Sequence, residues 1–96
     1  MAALDLLGRR WALRILWELR DDALGARALR DRCDRMSTSV MYERLAELGE
    51  AGLIAKNGQD AYALTALGAE LSAALAPLDA WSRRWASPTV GSGDLR

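Results

Sequence analysis

The chain has no histidine and a single cysteine, Cys33, among its 96 residues. Without histidine, the commonest metal ligand and the commonest general base are both missing. One cysteine forms no internal disulfide, and no CxxC or His/Cys cluster offers a zinc pattern, so no metal or cofactor is expected. No apolar run approaches the roughly 20 residues that span a bilayer, so no membrane partner is expected. Net charge is lacking as well, with 13 basic side chains against 13 acidic ones. Nucleic-acid binders draw much of their affinity from neutralising phosphates, so a DNA-binding face here has to be assembled locally. Residues 1–36 carry eight arginines against six acids, whereas residues 37–70 carry Arg44 and Lys56 against five acids. A Gly-rich phosphate loop is absent too. The carboxylates, serines and arginines form no catalytic constellation without a base, and an enzyme is not expected.

What is present is a chain about half apolar, long enough for one modest core that needs no metal or disulfide. The N-terminus, M-A-A-L-D-L-L-G-R-R-W, has an Arg-rich flavour, but Asp5 and Glu18 argue against a transit peptide. A soluble, cytoplasmic protein is the expectation. One domain should occupy residues 1–86, with the Gly/Ser/Pro-rich residues 87–96 forming a disordered tail.

The stretch over residues 33–57 organises the rest. A polar turn, Cys33-Asp34-Arg35-Met36, leads to Ser37, which suits a helix N-cap. Val40, Leu45 and Leu48 then form an apolar stripe of helical period, with Met41 and Tyr42 to its sides. Gly49 and Gly52 bracket the stop, and residues 53–57 read as a short strand. A helix held between a tight turn and a strand is how a helix-turn-helix protein displays its recognition helix, with a wing behind it.

The flanking segments fit this frame. Residues 4–20 read as one helix with a break at Gly8, apolar on more than one side through Leu6, Leu13, Trp17 and the Trp11, Ile15, Leu16, Leu19 face. Residues 26–32 form a short helix capped by Asp22 or Gly25, with Leu29 and Cys33 pointing inward. Asn57-Gly58 is a hairpin signal, and residues 61–64 alternate as the return strand with Tyr62 and Leu64 on one face. Thr65 can cap a last helix, along which Leu67, Leu71, Leu75, Leu78, Trp81 and Trp85 recur, with a kink or a fresh start at Pro77.

Three motifs carry a resemblance to the HxlR family of bacterial winged-helix transcriptional regulators, cousins of MarR. The opening L-L-G-R-R-W-A-L-R-I-L-W-E-L is similar to the family's Gly-Gly-Lys-Trp…Ile-Leu…Leu at Gly8, Trp11, Ile15, Leu16 and Leu19. The segment R-M-S-T-S-V-M-Y-E-R-L-A-E-L-G-E-A-G-L-I resembles its recognition-helix core at Met36, Ser37, Val40, Arg44, Leu45, Leu48, Gly52, Leu53 and Ile54. Tyr62-Ala63-Leu64-Thr65-Ala66-Leu67-Gly68 resembles its Tyr-x-Leu-Thr-x-x-Gly, and Trp81 matches a tryptophan that often ends the last helix. Two features depart from the pattern. Gly25-Ala26 stands where the family has Arg-Phe, and the wing is cut to Asn57-Gly58-Gln59-Asp60 with no arginine. Cys33 does not lie ahead of the first helix, where the family's redox-sensing members carry theirs, and reads as core.

The fold expected is mainly α with a small β-hairpin: a winged helix-turn-helix with N- and C-terminal dimerisation helices. The function implied by the resemblance is that of a homodimeric, sequence-specific regulator on a pseudo-palindromic operator in double-stranded DNA. Its DNA-binding residues would be Arg27, Arg35, Ser37, Thr38, Ser39, Met41, Tyr42, Arg44 and Lys56. Arg44 would read guanine, the serines would bind phosphate at a helix N-terminus, and Arg27, Arg30, Arg32 and Arg35 would hold backbone phosphates or pair with Asp31 and Asp34. Leu6, Leu13, Trp17, Leu71, Leu75, Leu78, Trp81 and Trp85 would form a dimer interface or an aromatic pocket for a small-molecule effector. The alternative is a winged-helix dimerisation or protein-docking module that no longer binds DNA, as the neutral charge, acidic recognition helix and clipped wing permit.

Overall fold

The computed structural model describes residues 2–86, and the expected tail at 87–96 lies outside them. In chain order the elements are α1 (Ala2–Leu7), α2 (Ala12–Glu18), β1 (Leu24–Gly25), α3 (Ala26–Arg32), α4 (Thr38–Glu50), β2 (Ile54–Lys56), β3 (Ala61–Leu64) and α5 (Ala66–Ala86). They form a mainly helical, winged-helix arrangement around a three-stranded antiparallel sheet in the order β1-β3-β2.

The break expected at Gly8 within residues 4–20 is present, and it separates two helices, α1 and α2. Gly8 ends α1, its N–H bonded to the Leu4 carbonyl at 2.8 Å. A side chain there would meet that same oxygen at 2.7 Å. The chain then bends through Arg9 and Arg10 into Trp11, whose φ of 77° is left-handed, before α2 begins. One left-handed residue resets the helix axis, a costly conformation for a bulky side chain. From α2, Ala12, Ile15 and Leu16, with Leu19 just beyond, enter the core.

Around them close Leu24, Leu29, Cys33, Met36, Met41, Leu45, Leu48, Leu53 and Ile54, each under a tenth exposed. The inner stripe of α4 is Met41, Leu45 and Leu48, at spacings of four and three, and Val40 is only half-buried. At the end of α4, Gly52 takes φ 79°. The Leu53 N–H reaches back to the Leu48 carbonyl and the Gly52 N–H to the Gly49 carbonyl, both at 3.0 Å. This is a Schellman stop. It turns the chain directly into β2 while keeping Leu53 beside Leu48 in the core.

Strand β1 is two residues long and pairs Leu24 with Tyr62 and Gly25 with Ala61. So short a strand has no periodicity to read. In the wing, β2 and β3 pair from Ile54–Leu64 to Lys56–Tyr62. The loop is wider than a two-residue Asn-Gly turn. Asn57 Oδ1 accepts from the backbone N–H of Gln59 and Ala61, at 2.8 and 3.1 Å, and the left-handed residue is Asp60, φ 59°. Asn57 thus closes the wing with its side chain.

Thr65 caps α5 as the sequence implies, its hydroxyl accepting from the Gly68 N–H at 3.1 Å. The helix continues through Pro77 as one element of 21 residues, without a fresh start. Only Gly68 on it is buried.

Candidate nucleic-acid interface

The helix-turn-helix is α3, the turn Cys33–Met36 and α4. Asp34 and Arg35 both sit in the left-handed region, φ 56° and 57°. Arg35 N–H closes the turn onto the Arg30 carbonyl at 2.8 Å. Arg30 then braces it from outside, Nε donating to the Met36 carbonyl at 2.8 Å. Arg14 of α2 adds a second brace, donating to the Arg32 carbonyl and pairing with Glu18 at 2.8 Å. Inside the turn Cys33 is fully buried, and burial pushes its thiol up from the ordinary range, with Arg14 opposing. It is part of the core, as the sequence implies.

Ser37 caps α4, its Oγ accepting from the Val40 N–H at 3.2 Å and lying 3.0 Å from Ser39 Oγ. Ser37, Thr38 and Ser39 therefore stand exposed around an uncovered helix N-terminus, whose free N–H groups and dipole favour an anion. Beside them α3 and α4 enclose an open groove of about 510 Å³, lined by Arg27, Arg30, Asp31, Arg35, Thr38 and Tyr42. Among the described residues, Arg27, Arg30 and Arg35 take part in no salt bridge. Three of the eight arginines of residues 1–36 thus stand next to the start of α4, with Asp31 among them.

Two of the expected DNA contacts are placed differently from what the sequence implies. Met41 is 1% exposed and belongs to the inner stripe of α4, where it forms the floor of the groove instead of standing on the exposed side of the helix. Arg44 also turns inward. Its Nε donates to the Arg10 carbonyl at 2.9 Å, and its Nη1 pairs with Glu47 at 2.8 Å and Glu43 at 3.1 Å. The side chain is only 13% exposed. With Arg9–Glu47 at 3.5 Å, Arg44 fastens α4 to the bend between α1 and α2. A guanidinium so occupied acts as a brace and, held this way, does not point to the side of α4 where guanine would be read. Lys56 lies at the root of the wing, near Asp60 at 3.6 Å and over the Tyr62 ring at 5.6 Å. Arg30, grouped in the sequence with Arg27, Arg32 and Arg35, lines the groove, whereas Arg32 does not.

A second face is apolar. Leu6 and Leu71 line an open hollow of about 430 Å³ between α1 and α5. Leu13, Trp17, Leu75 and Leu78 line another of about 320 Å³ between α2 and α5. Further along α5, Trp81 and Trp85 stack with centroids 5.9 Å apart and planes 11° apart, each about half exposed.

The family model for the HxlR-like helix-turn-helix matches residues 6–90. The chain belongs to the HxlR family. Similar solved structures of transcriptional regulators agree with this fold. Quinone-bound YodB from B. subtilis superposes with a TM-score of 0.77 at 28% identity, over 85% of this chain and 91% of that one. A transcriptional factor assigned to the HxlR family, from Thermoplasma volcanium GSS1, gives 0.78 at 25% identity, over 86% and 80%. A MarR-family regulator from Enterococcus faecalis V583 gives 0.77 at 26% identity, over 88% and 83%. Among curated proteins no sequence matches the chain. The HxlR family and these neighbours are regulators of transcription, not enzymes. Among the described residues no helix is long and apolar enough to cross a membrane.

Proposed function

We propose that this HxlR-family chain binds double-stranded DNA as a homodimer and regulates transcription in the cytoplasm. The observation that carries the reading is the groove of Arg27, Arg30 and Arg35, free of salt bridges among the described residues and adjoining the exposed N-terminus of α4. In helix-turn-helix docking the first helix crosses the phosphate backbone and the second enters the major groove by its N-terminal end. Arg27, Arg30 and Arg35 then hold phosphates, with Ser37, Thr38, Ser39 and Tyr42 adding hydroxyl contacts. Lys56 reaches the flanking strand from the wing. The second protomer docks through the apolar face of α1, α2 and α5. A small-molecule effector is assigned to the hollow of Leu13, Trp17, Leu75 and Leu78, which is apolar and of ligand size.

One set of observations favours the second reading, a docking module without DNA binding. The acids Glu43 and Glu50 stand on the exposed side of α4, and Lys56 is paired with Asp60. Selection from a random duplex pool decides between the two. The regulator reading expects enrichment of an inverted repeat whose half-sites lie about 10 bp apart, or a multiple of that, as two-fold related helices require. A pool that stays unenriched at low salt supports the docking module.

A further inference from the structure

With Arg44 turned inward, α4 has no cation on its exposed side. The side chains there are Thr38, Ser39, Tyr42, Glu43, Ala46 and Glu50. The commonest specific contact in a major groove, arginine to guanine, is therefore not available from this helix. Ser39, Glu43 and Ala46 follow one another at four- and three-residue spacing and so share one line along the helix. Glu50 continues that line at the far end of α4, and Glu43 is its charged member nearer the N-terminal end, with its side chain 60% exposed. Its Oε1 is held by Arg44 Nη1 at 3.1 Å, while among the described residues its Oε2 accepts no hydrogen bond. The carboxylate is thus oriented from behind and open in front.

We infer that Glu43 sets base specificity and selects cytosine in each half-site. This rests on the DNA-binding reading above. A carboxylate in the major groove only accepts hydrogen bonds, and it is repelled by other acceptors. Guanine offers O6 and N7, both acceptors. Thymine offers O4 and a methyl group. Adenine places its N6 donor beside the N7 acceptor. Cytosine alone presents a donor, its N4 amino group, with no acceptor next to it on its own edge. Arg44 is a positioning residue here: it fixes the rotamer of Glu43 and offsets its charge near the phosphates. Ala46, one turn on, is suited to a thymine methyl but carries less discrimination.

The test is to select operators with the wild-type protein, with Glu43→Gln and with Glu43→Ala, and then measure affinities for single-base variants of the wild-type operator. Expected is a cytosine preference of about tenfold at one symmetry-related position per half-site. Glu43→Ala should level it, and Glu43→Gln should move it toward adenine, whose N6 and N7 a glutamine amide matches. Preferences elsewhere should stay as they were. Both variants keep Arg44 bonded to Glu47 and the Arg10 carbonyl, so the fold is not at issue. An operator with identical preferences in all three proteins overturns this inference and leaves the regulator reading standing. A wild-type protein that selects no duplex overturns both.

Discussion

Replacing Gly68 with alanine should cost the domain about 3 kcal/mol or more, beyond the usual range for overpacking by one methyl group. A Cβ at that position would lie 2.0 Å from the Leu53 carbonyl oxygen and 3.0 Å from its carbon. Backbone, unlike a flexible side chain, has little room to yield. The same oxygen accepts the Thr65 N–H at 3.0 Å, and the Thr65 hydroxyl is bonded to the Gly52 carbonyl. Moving it away would loosen the cap of α5 as well as the start of β2. The start of α5 thus lies directly on the backbone leaving the Schellman stop, which gives the Thr-x-x-Gly spacing its physical reason. For a domain of this size the loss corresponds to a fall in Tm of more than about 12 °C. Gly49→Ala makes the contrast. Gly49 lies within α4 and a Cβ there meets nothing within 4 Å, so alanine should stabilise by up to about 1 kcal/mol. Thermal melts of both variants check this, and a Gly68→Ala protein that melts with the wild type would show that α5 does not pack this way.

The second large effect concerns the apolar face. A 21-residue helix is about 31 Å long, and this one buries only Gly68 within the protomer. Leu67, Leu78, Trp81 and Trp85 remain about half exposed, flanking the hollows that α5 forms with α1 and α2. Contiguous apolar surface rich in tryptophan marks a partner-binding face. Leu75→Asp combined with Trp81→Asp should therefore yield a folded monomer, because neither residue belongs to the buried core. Operator affinity should fall about 100-fold or more, since a monomer loses the effective concentration that couples two half-sites. Sedimentation gives the first result and binding to the selected operator the second. A double variant that stays dimeric, with unchanged affinity, would remove α5 from the interface.

Much of this molecule is legible in its sequence because much of it is locally determined. The bounds of α3, the Ser37 cap, the Gly52 stop and the return strand depend on residues within a turn or two of one another. The parts that were not legible are non-local. Strand β1 exists only because Leu24 and Gly25 find β3, nearly 40 residues later. Arg44 matches a family position and lies on the right helix, yet its direction is set by the Arg10 carbonyl, which the left-handed Trp11 helps to place. Met41 was assigned to the side of α4, and one helical step separates that reading from its burial. The apolar residues of the proposed interface could be named from the sequence, because a helix apolar on more than one side announces a second surface. Glu43 carries no local signal of a role beyond making the recognition helix acidic, and only the inward turn of Arg44 leaves it as the charged group at the centre of the exposed line.

The central claim is that the α3–α4 groove holds DNA phosphates. The most direct measurement is affinity for a mixed-sequence duplex over a range of salt, for the wild type and for Arg27→Ala/Arg30→Ala/Arg35→Ala. Affinity should fall steeply with salt for the wild type, and the triple variant should lose about one unit of log–log slope for each arginine removed per protomer. A wild-type affinity indifferent to salt, or a triple variant with the wild-type slope, would contradict it.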